Sequence, residues 1–285
     1  MTLWDSSVEI SFFEEALKSF ASEEQLFYKL KSGSYAYIPK GMNAEGRTLQ
    51  SRNSLIGNFT EKWCKKIIEP IAKNHGLFAV NGAICEEIGL TKQSPADLIL
   101  STKDTIHQCA SDIRIIFEIK MSIVSNYLFD RGKVKLIGDY KSHKGNPSLL
   151  RSDSMLKAIG KSVDIRVCGD KSAIIPIVIL GNTPITSNYE EKVDQLRLSG
   201  VIQHFISLNP MPTMGNFIAG TANEGFITPK SYFDFDKVLS QLLNFDLYYF
   251  SAMKSKDKLG EIISIAANEI TEVEKAEKFL QLIRQ

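Results

Sequence analysis

Residues 113–121 read "IRIIFEIKM", an apolar run that carries an acid and a base two positions apart, Glu118 and Lys120. Side chains of a strand alternate faces, so Glu118 and Lys120 project to one side while Phe117, Ile119 and Met121 project to the other. Upstream, residues 94–100, "SPADLIL", place Asp97 in a second apolar segment. A carboxylate there is costly to desolvate unless a partner charge or a metal offsets it. If the polar stretch 102–112 joins two adjacent strands, Asp97 falls opposite the Glu118–Lys120 face. Two carboxylates and an ammonium then share one small volume. Such a set suits Mg²⁺, which keeps several waters and takes one or two protein carboxylates together with phosphate oxygens. The metal would polarise a phosphoryl oxygen and acidify a bound water. Lys120 would orient or deprotonate that water, or stabilise charge at phosphorus. The alternative is an ordinary ion pair between Glu118 and Lys120 on a solvent face.

The elements that must position these residues alternate along the chain. Apolar spacing predicts a helix over 58–76, with Pro70 breaking or kinking it, and strands over 77–82, 96–101 and 112–123. A basic loop over 130–151 leads to a helix over 152–162. A strand over 173–181, apolar enough to be buried on both faces, precedes a helix over 188–199 and a strand over 201–208. This order describes an α/β sandwich with a mixed central sheet flanked by helices. Residues 6–31 have the spacing of two short helices, 32–54 read as a loop carrying Lys40, Arg47 and Arg52 against Glu45, and 230–285 read as helical. The expected organisation is one domain over 1–285: an N-terminal extension over 1–54, a core over 55–210, and a loop with further helices over 211–285.

"PAD" followed by "FEIK" resembles the signature of the PD-(D/E)xK nuclease superfamily, with Ala96 lengthening the Pro-Asp pair by one residue. The resemblance implies a restriction-endonuclease-like core of order αβββαβ, with extra helices at both termini. It also implies that Asp97 and Glu118 bind Mg²⁺ and that Lys120 serves the nucleophilic water. Many members carry a further acid on the preceding helix as GxxxE, and "GNFTE" puts Glu61 four residues after Gly57. Glu61 is therefore either a third catalytic acid or a solvated helix-face residue, with Glu69, Glu86 and Glu87 as lesser candidates. The implied activity is that of a type II, site-specific endonuclease on double-stranded DNA. The alternatives are a repair or structure-specific nuclease and a non-catalytic DNA-binding protein on the same fold. A palindromic target would bring a two-fold homodimer, since protein symmetry mirrors site symmetry.

Net charge is only +1 over 285 residues, so affinity for a polyanion must come from a local basic patch. Residues 131–151 supply one, with Arg131, Lys133, Lys135, Lys141, Lys144 and Arg151 against Asp139 alone. On the helix that follows, Ser152 or Asp153 is placed to cap the N-terminus, and Met155, Leu156 and Ile159 form the expected buried stripe. Ser154, Lys157 and Lys161 share another face, to meet a DNA backbone or simply solvent. The loop 209–226 is long and nearly uncharged, and its asparagines are of a type that reads adenine edges. Four scattered cysteines without CxxC spacing read as free thiols, and no signal segment or membrane span is visible, so a cytoplasmic protein is expected.

Overall fold

A computed structural model describes residues 2–43, 49–213, 216–244 and 256–283. Glu45 and Arg47 of the expected loop, and residues 245–255 of the expected C-terminal helices, lie outside the described residues. Helix α1 (Ser6–Ser19) starts at Asp5, whose carboxylate accepts the N–H groups of Ser7 and Val8 and so satisfies first-turn donors. A single turn, α2 (Glu23–Leu26), leads into strands β1 (Tyr28–Leu30) and β2 (Gly33–Tyr35). Next come α3 (Gln50–Asn74), β3 (Phe78–Ala83), β4 (Ala96–Ser101) and β5 (Ile113–Ile119). A hairpin of β6 (Asn126–Asp130) and β7 (Lys133–Gly138) precedes α4 (Ser152–Val167). The chain continues through β8 (Ile177–Gly181), α5 (Ser187–Leu198), β9 (His204–Ser207) and β10 (Phe226–Ile227). Helices α6 (Tyr232–Asn244), α7 (Lys256–Ala266) and α8 (Glu272–Ile283) follow.

The main sheet has the order β10-β9-β8-β5-β4-β3. Its β3–β4–β5 part is antiparallel, whereas β5, β8, β9 and β10 run parallel. This is the mixed sheet with flanking helices expected of the α/β pattern. Strand alternation sorts its side chains into two apolar layers. Leu98, Leu100, Ile115, Phe117, Val178 and Leu180 pack with α1, α3 and α6 through Phe12, Ile68 and Leu239. Ile99, Ile116, Ile177 and Ile179 pack on the other side with Met155 and Ala158 of α4 and Val193 of α5. Every residue of β8 is buried, which explains its uninterrupted apolar run.

Several expected boundaries move. Helix α3 begins at Gln50 and continues through Pro70, because Ile67, Ile68, Ile71 and Ala72 keep one face buried across the lost hydrogen bond. The second N-terminal helix is one turn, and the expected basic loop contains the β6–β7 hairpin. Its two-residue turn, Arg131-Gly132, has positive φ at both positions (48° and 75°), the geometry that matches strand twist. The hairpin belongs to a second sheet of order β1-β2-β6-β7. Helix α4 runs on to Val167 and buries Met155, Ala158, Ser162 and Ile165, while Leu156, expected inside, is 62% exposed. Arg151 occupies the cap position of α4, and neither Ser152 nor Asp153 lies outside the helix to cap it.

Candidate functional site

The register of β4 and β5 builds the site. Leu98 pairs with Phe117 and Ile99 with Ile116, so one step further Asp97 faces Glu118, on the sheet side covered by α4. The Asp97 carboxylate locks that step by accepting the N–H of Ile119 at 2.6 Å on Oδ2. Just beyond β5, Lys120 remains fixed by its neighbours. Its N–H donates to the Leu180 carbonyl at 2.7 Å, and its carbonyl accepts the Ser148 hydroxyl at 2.6 Å. Ser148 in turn accepts the Asn182 N–H at 3.2 Å, and the Asn182 amide holds both backbone groups of Ser122.

The Lys120 ammonium contacts Glu118 Oε1 and lies 3.8 Å from Asp97 Oδ2. A second ammonium enters from α4. Lys161 Nζ sits 2.6 Å from Glu118 Oε2 and 3.7 Å from Asp97 Oδ1, and donates to the Pro95 carbonyl at 2.7 Å. Glu118 Oε2 makes no aligned hydrogen bond, so its contact with Lys161 is an ion pair alone. Helical spacing puts Lys161 on a face with Ser154 and Lys157, directed to a DNA backbone or to solvent. The structure places it among the carboxylates.

Burial first, and the Glu118 charge second, push the Asp97 carboxyl above its usual range, against the pull of both lysines and the Ile119 N–H. Glu61, on α3, is raised in the same way by burial and then by Asp97, and it also feels Glu118, Lys120 and Lys161. Three carboxylates and two ammoniums thus act on one another, with negative charge in excess. The other acids named from sequence lie elsewhere: Glu69 pairs with Lys73 at 3.2 Å, Glu87 contacts Lys171 and the Ala110 N–H, and Glu86 is exposed.

Among the described residues, no group of three or more His, Cys, Asp or Glu side chains is arranged to hold a metal ion by itself. The donors that are present nevertheless fit Mg²⁺ in kind. Asp97 and Glu118 are hard oxygen ligands facing each other across a strand pair, and their mutual repulsion is what a divalent cation would relieve.

Beside Lys120 opens a cleft of about 560 Å³ between the start of α3, Tyr28 of β1, the segment after β2 at Tyr37 and Ile38, and the approach to α4. Among the described residues its charged lining is Arg52, Lys120, Lys144 and Arg151, all cationic, and Ser154 is also part of its wall. Of the residues expected from sequence to contact DNA, Lys144, Arg151 and Ser154 line this cleft, and Lys161 sits among the carboxylates. Lys133 and Lys135 are on β7, with Lys135 paired to Asp130 at 2.8 Å, and Lys141 borders a separate pocket. Lys157 is exposed and pairs with Asp153 at 3.1 Å. In the loop 209–226, Asn209 is buried, whereas Asn216 and Asn223 are exposed, the latter contacting Asp194 through its backbone N–H at 3.0 Å and its side-chain amide at 3.5 Å. Sequence reasoning left Ser148, Asn182 and Tyr37 unremarked, and no spacing signal in the chain marks them. Comparison of the chain with protein-family models, with curated proteins and with solved structures returns no match.

Proposed function

We propose that the chain is a Mg²⁺-dependent endonuclease that hydrolyses phosphodiester bonds of double-stranded DNA at specific sites, in the manner of type II PD-(D/E)xK enzymes. The observation that carries this reading is the register that sets Asp97 against Glu118 with Lys120 on the same side, at the mouth of a cleft whose charged lining residues, among the described residues, are all cations. The order α3-β3-β4-β5-α4-β8, with the β6–β7 hairpin inserted between β5 and α4, supports it, because without that insertion it follows the αβββαβ plan of that superfamily. Asp97 and Glu118 would hold the metal, which when bound supplies a polarised phosphoryl oxygen and an acidified water. Lys120, fixed through both backbone groups, presents its ammonium beside the reacting phosphate and favours the negative charge that develops there. Lys161 holds Glu118 and Asp97 from the opposite side and keeps the two carboxylates together. Glu61 adds a third negative charge within reach of the pair. A two-fold dimer fits a palindromic target, with one such site for each strand.

Digestion of a long, fully sequenced, unmethylated DNA with Mg²⁺ and with EDTA tests the proposal. Discrete Mg²⁺-dependent fragments are expected, and Glu118→Ala is expected to lower their rate of formation by about 10²-fold or more while DNA binding in EDTA persists. Nicking or a smear would replace site-specific cleavage with a structure-dependent nuclease. An uncut substrate that is nonetheless bound would leave a DNA-binding protein without catalysis.

A further inference from the structure

Arg52 is the innermost cation of the cleft and the one whose role the catalytic cluster leaves open. It stands in the first turn of α3 and is 3% exposed. Its guanidinium lies between the rings of Tyr28 and Tyr37, 4.7 Å and 4.8 Å from their centroids. Nη1 donates to the Ala36 carbonyl and Nη2 to the Tyr28 hydroxyl at 3.3 Å, but the buried Nε has no partner. Among the described residues no carboxylate forms an ion pair with Arg52. A buried guanidinium held only by neutral groups is a charge awaiting a counter-ion, and the two rings fix its plane in advance. Lys144 and Arg151 lie on the same cleft wall, and both are exposed. Its volume of about 560 Å³ is that of a small-ligand site.

We infer that this cleft is a phosphate subsite for one strand of the bound nucleic acid, with Arg52 as its floor and Lys144 and Arg151 as its rim. It would seat a phosphodiester next to the one that Lys120 faces. That adjacency rests on the nuclease reading, whereas the anion site itself does not. A planar guanidinium suits two phosphate oxygens at once, so Arg52 would fix the register of the strand as well as neutralise its charge.

The test is binding of a fluorescein-labelled duplex to the full chain in EDTA, measured by anisotropy over a range of salt concentrations. Each lost phosphate contact removes about 0.9 from the slope of log affinity against log salt. The double variant Lys144→Gln/Arg151→Gln changes only exposed side chains; it is expected to weaken binding about tenfold or more and to lower the slope by about two such contacts. Arg52→Gln is expected to lower it by about one. If Arg52→Gln fails to fold by circular dichroism, the rim variant decides alone. A matched pair on α8, Lys275→Gln/Lys278→Gln, is expected to leave the slope unchanged. Slopes and affinities in the rim variant equal to wild type would overturn the subsite, as would absence of binding by the wild type. A wild type that binds with the full slope but cuts nothing in Mg²⁺ sinks the hydrolase reading and spares the subsite. Cleavage with unaltered slopes in the rim variant does the reverse.

Discussion

Glu118 is 6% exposed and meets an ammonium at each oxygen, Lys120 at Oε1 and Lys161 at Oε2. Removing Lys161 therefore leaves a buried carboxylate oxygen with nothing opposite it. Lys161→Met is expected to lower stability by about 1–3 kcal/mol at neutral pH. It also takes away one of the charges that draw the Asp97 carboxyl down, so that group should titrate higher than in the wild type. A carboxyl raised in the folded state contributes stability that is lost as pH rises through its folded value. The deficit of the variant should consequently be larger at pH 8 than at pH 5, as read by urea unfolding, with a carbon-13 titration of Asp97 as the direct check. Equal stability at pH 8 with an unmoved Asp97 would show that Lys161 is a bystander. At this scale the sequence is readable where backbone geometry decides the outcome. Alternation alone puts Glu118 and Lys120 on one side, and antiparallel pairing of two recognisable strands brings Asp97 to them. The contact of Lys161 with the carboxylates is not legible in the sequence, because helical spacing tells which residues share a face, yet says nothing about how far a long side chain reaches.

Asp194, on α5, ties that helix to the turn before β10. It accepts the Thr221 hydroxyl at 2.5 Å and the N–H groups of Asn223 at 3.0 Å and Gly225 at 2.8 Å. Burial alone would raise its carboxyl, but these donors hold it below the usual range. The turn presses so closely on α5 that a Cβ at Gly225 would lie 2.3 Å from the Val193 carbonyl oxygen and 2.5 Å from the Asp194 nitrogen. Both are backbone atoms, so no rotamer change relieves the contact. Gly225→Ala is expected to cost about 1–3 kcal/mol through displacement of the turn, seen as a lower urea midpoint at unchanged m-value. A midpoint equal to wild type would mean that the β10 edge is not coupled to α5 as described. Among the elements, those with long apolar faces are legible: β4 has the ends read for it, α5 is displaced by one residue from the span 188–199, and β9 lies within 201–208. The β6–β7 hairpin is hidden in the sequence by the charge of Lys133 and Lys135, although Lys-Val-Lys-Leu is also an alternating strand pattern on an exposed edge. The early start of α3 escaped because its first turns carry few apolar residues, and Arg52 was thereby assigned to a loop.

Across the whole molecule, two buried histidines mark regions remote in sequence that share one acid-labile design. His143 stacks on Tyr37 at 4.0 Å near the cleft. His204, at the start of β9, donates from Nδ1 to the Glu224 carbonyl at 2.8 Å, which leaves Nε2 to accept from Arg197 at 2.7 Å. That pairing selects the neutral ring. Burial, and then nearby positive charge from Arg52 and Lys40, push His143 down to about 4; burial and Arg197 do the same for His204. A base lowered in the folded state contributes stability that is complete above its unfolded value, near 6.5, and is lost as pH falls towards 4. Glu9, Asp97 and Glu61, all raised by burial, act in the opposite sense, so the pH curve of the wild type mixes the two. Comparison with His143→Phe and His204→Gln separates them, since Phe retains the stacked ring and Gln can retain the acceptor. From pH 7 to pH 5 each variant should gain about 2 kcal/mol relative to the wild type, measured as the change in unfolding free energy at the two pH values. A difference that stays constant over that interval would mean that both rings titrate as freely in the folded chain as in the unfolded one, and would remove the argument that burial holds them neutral.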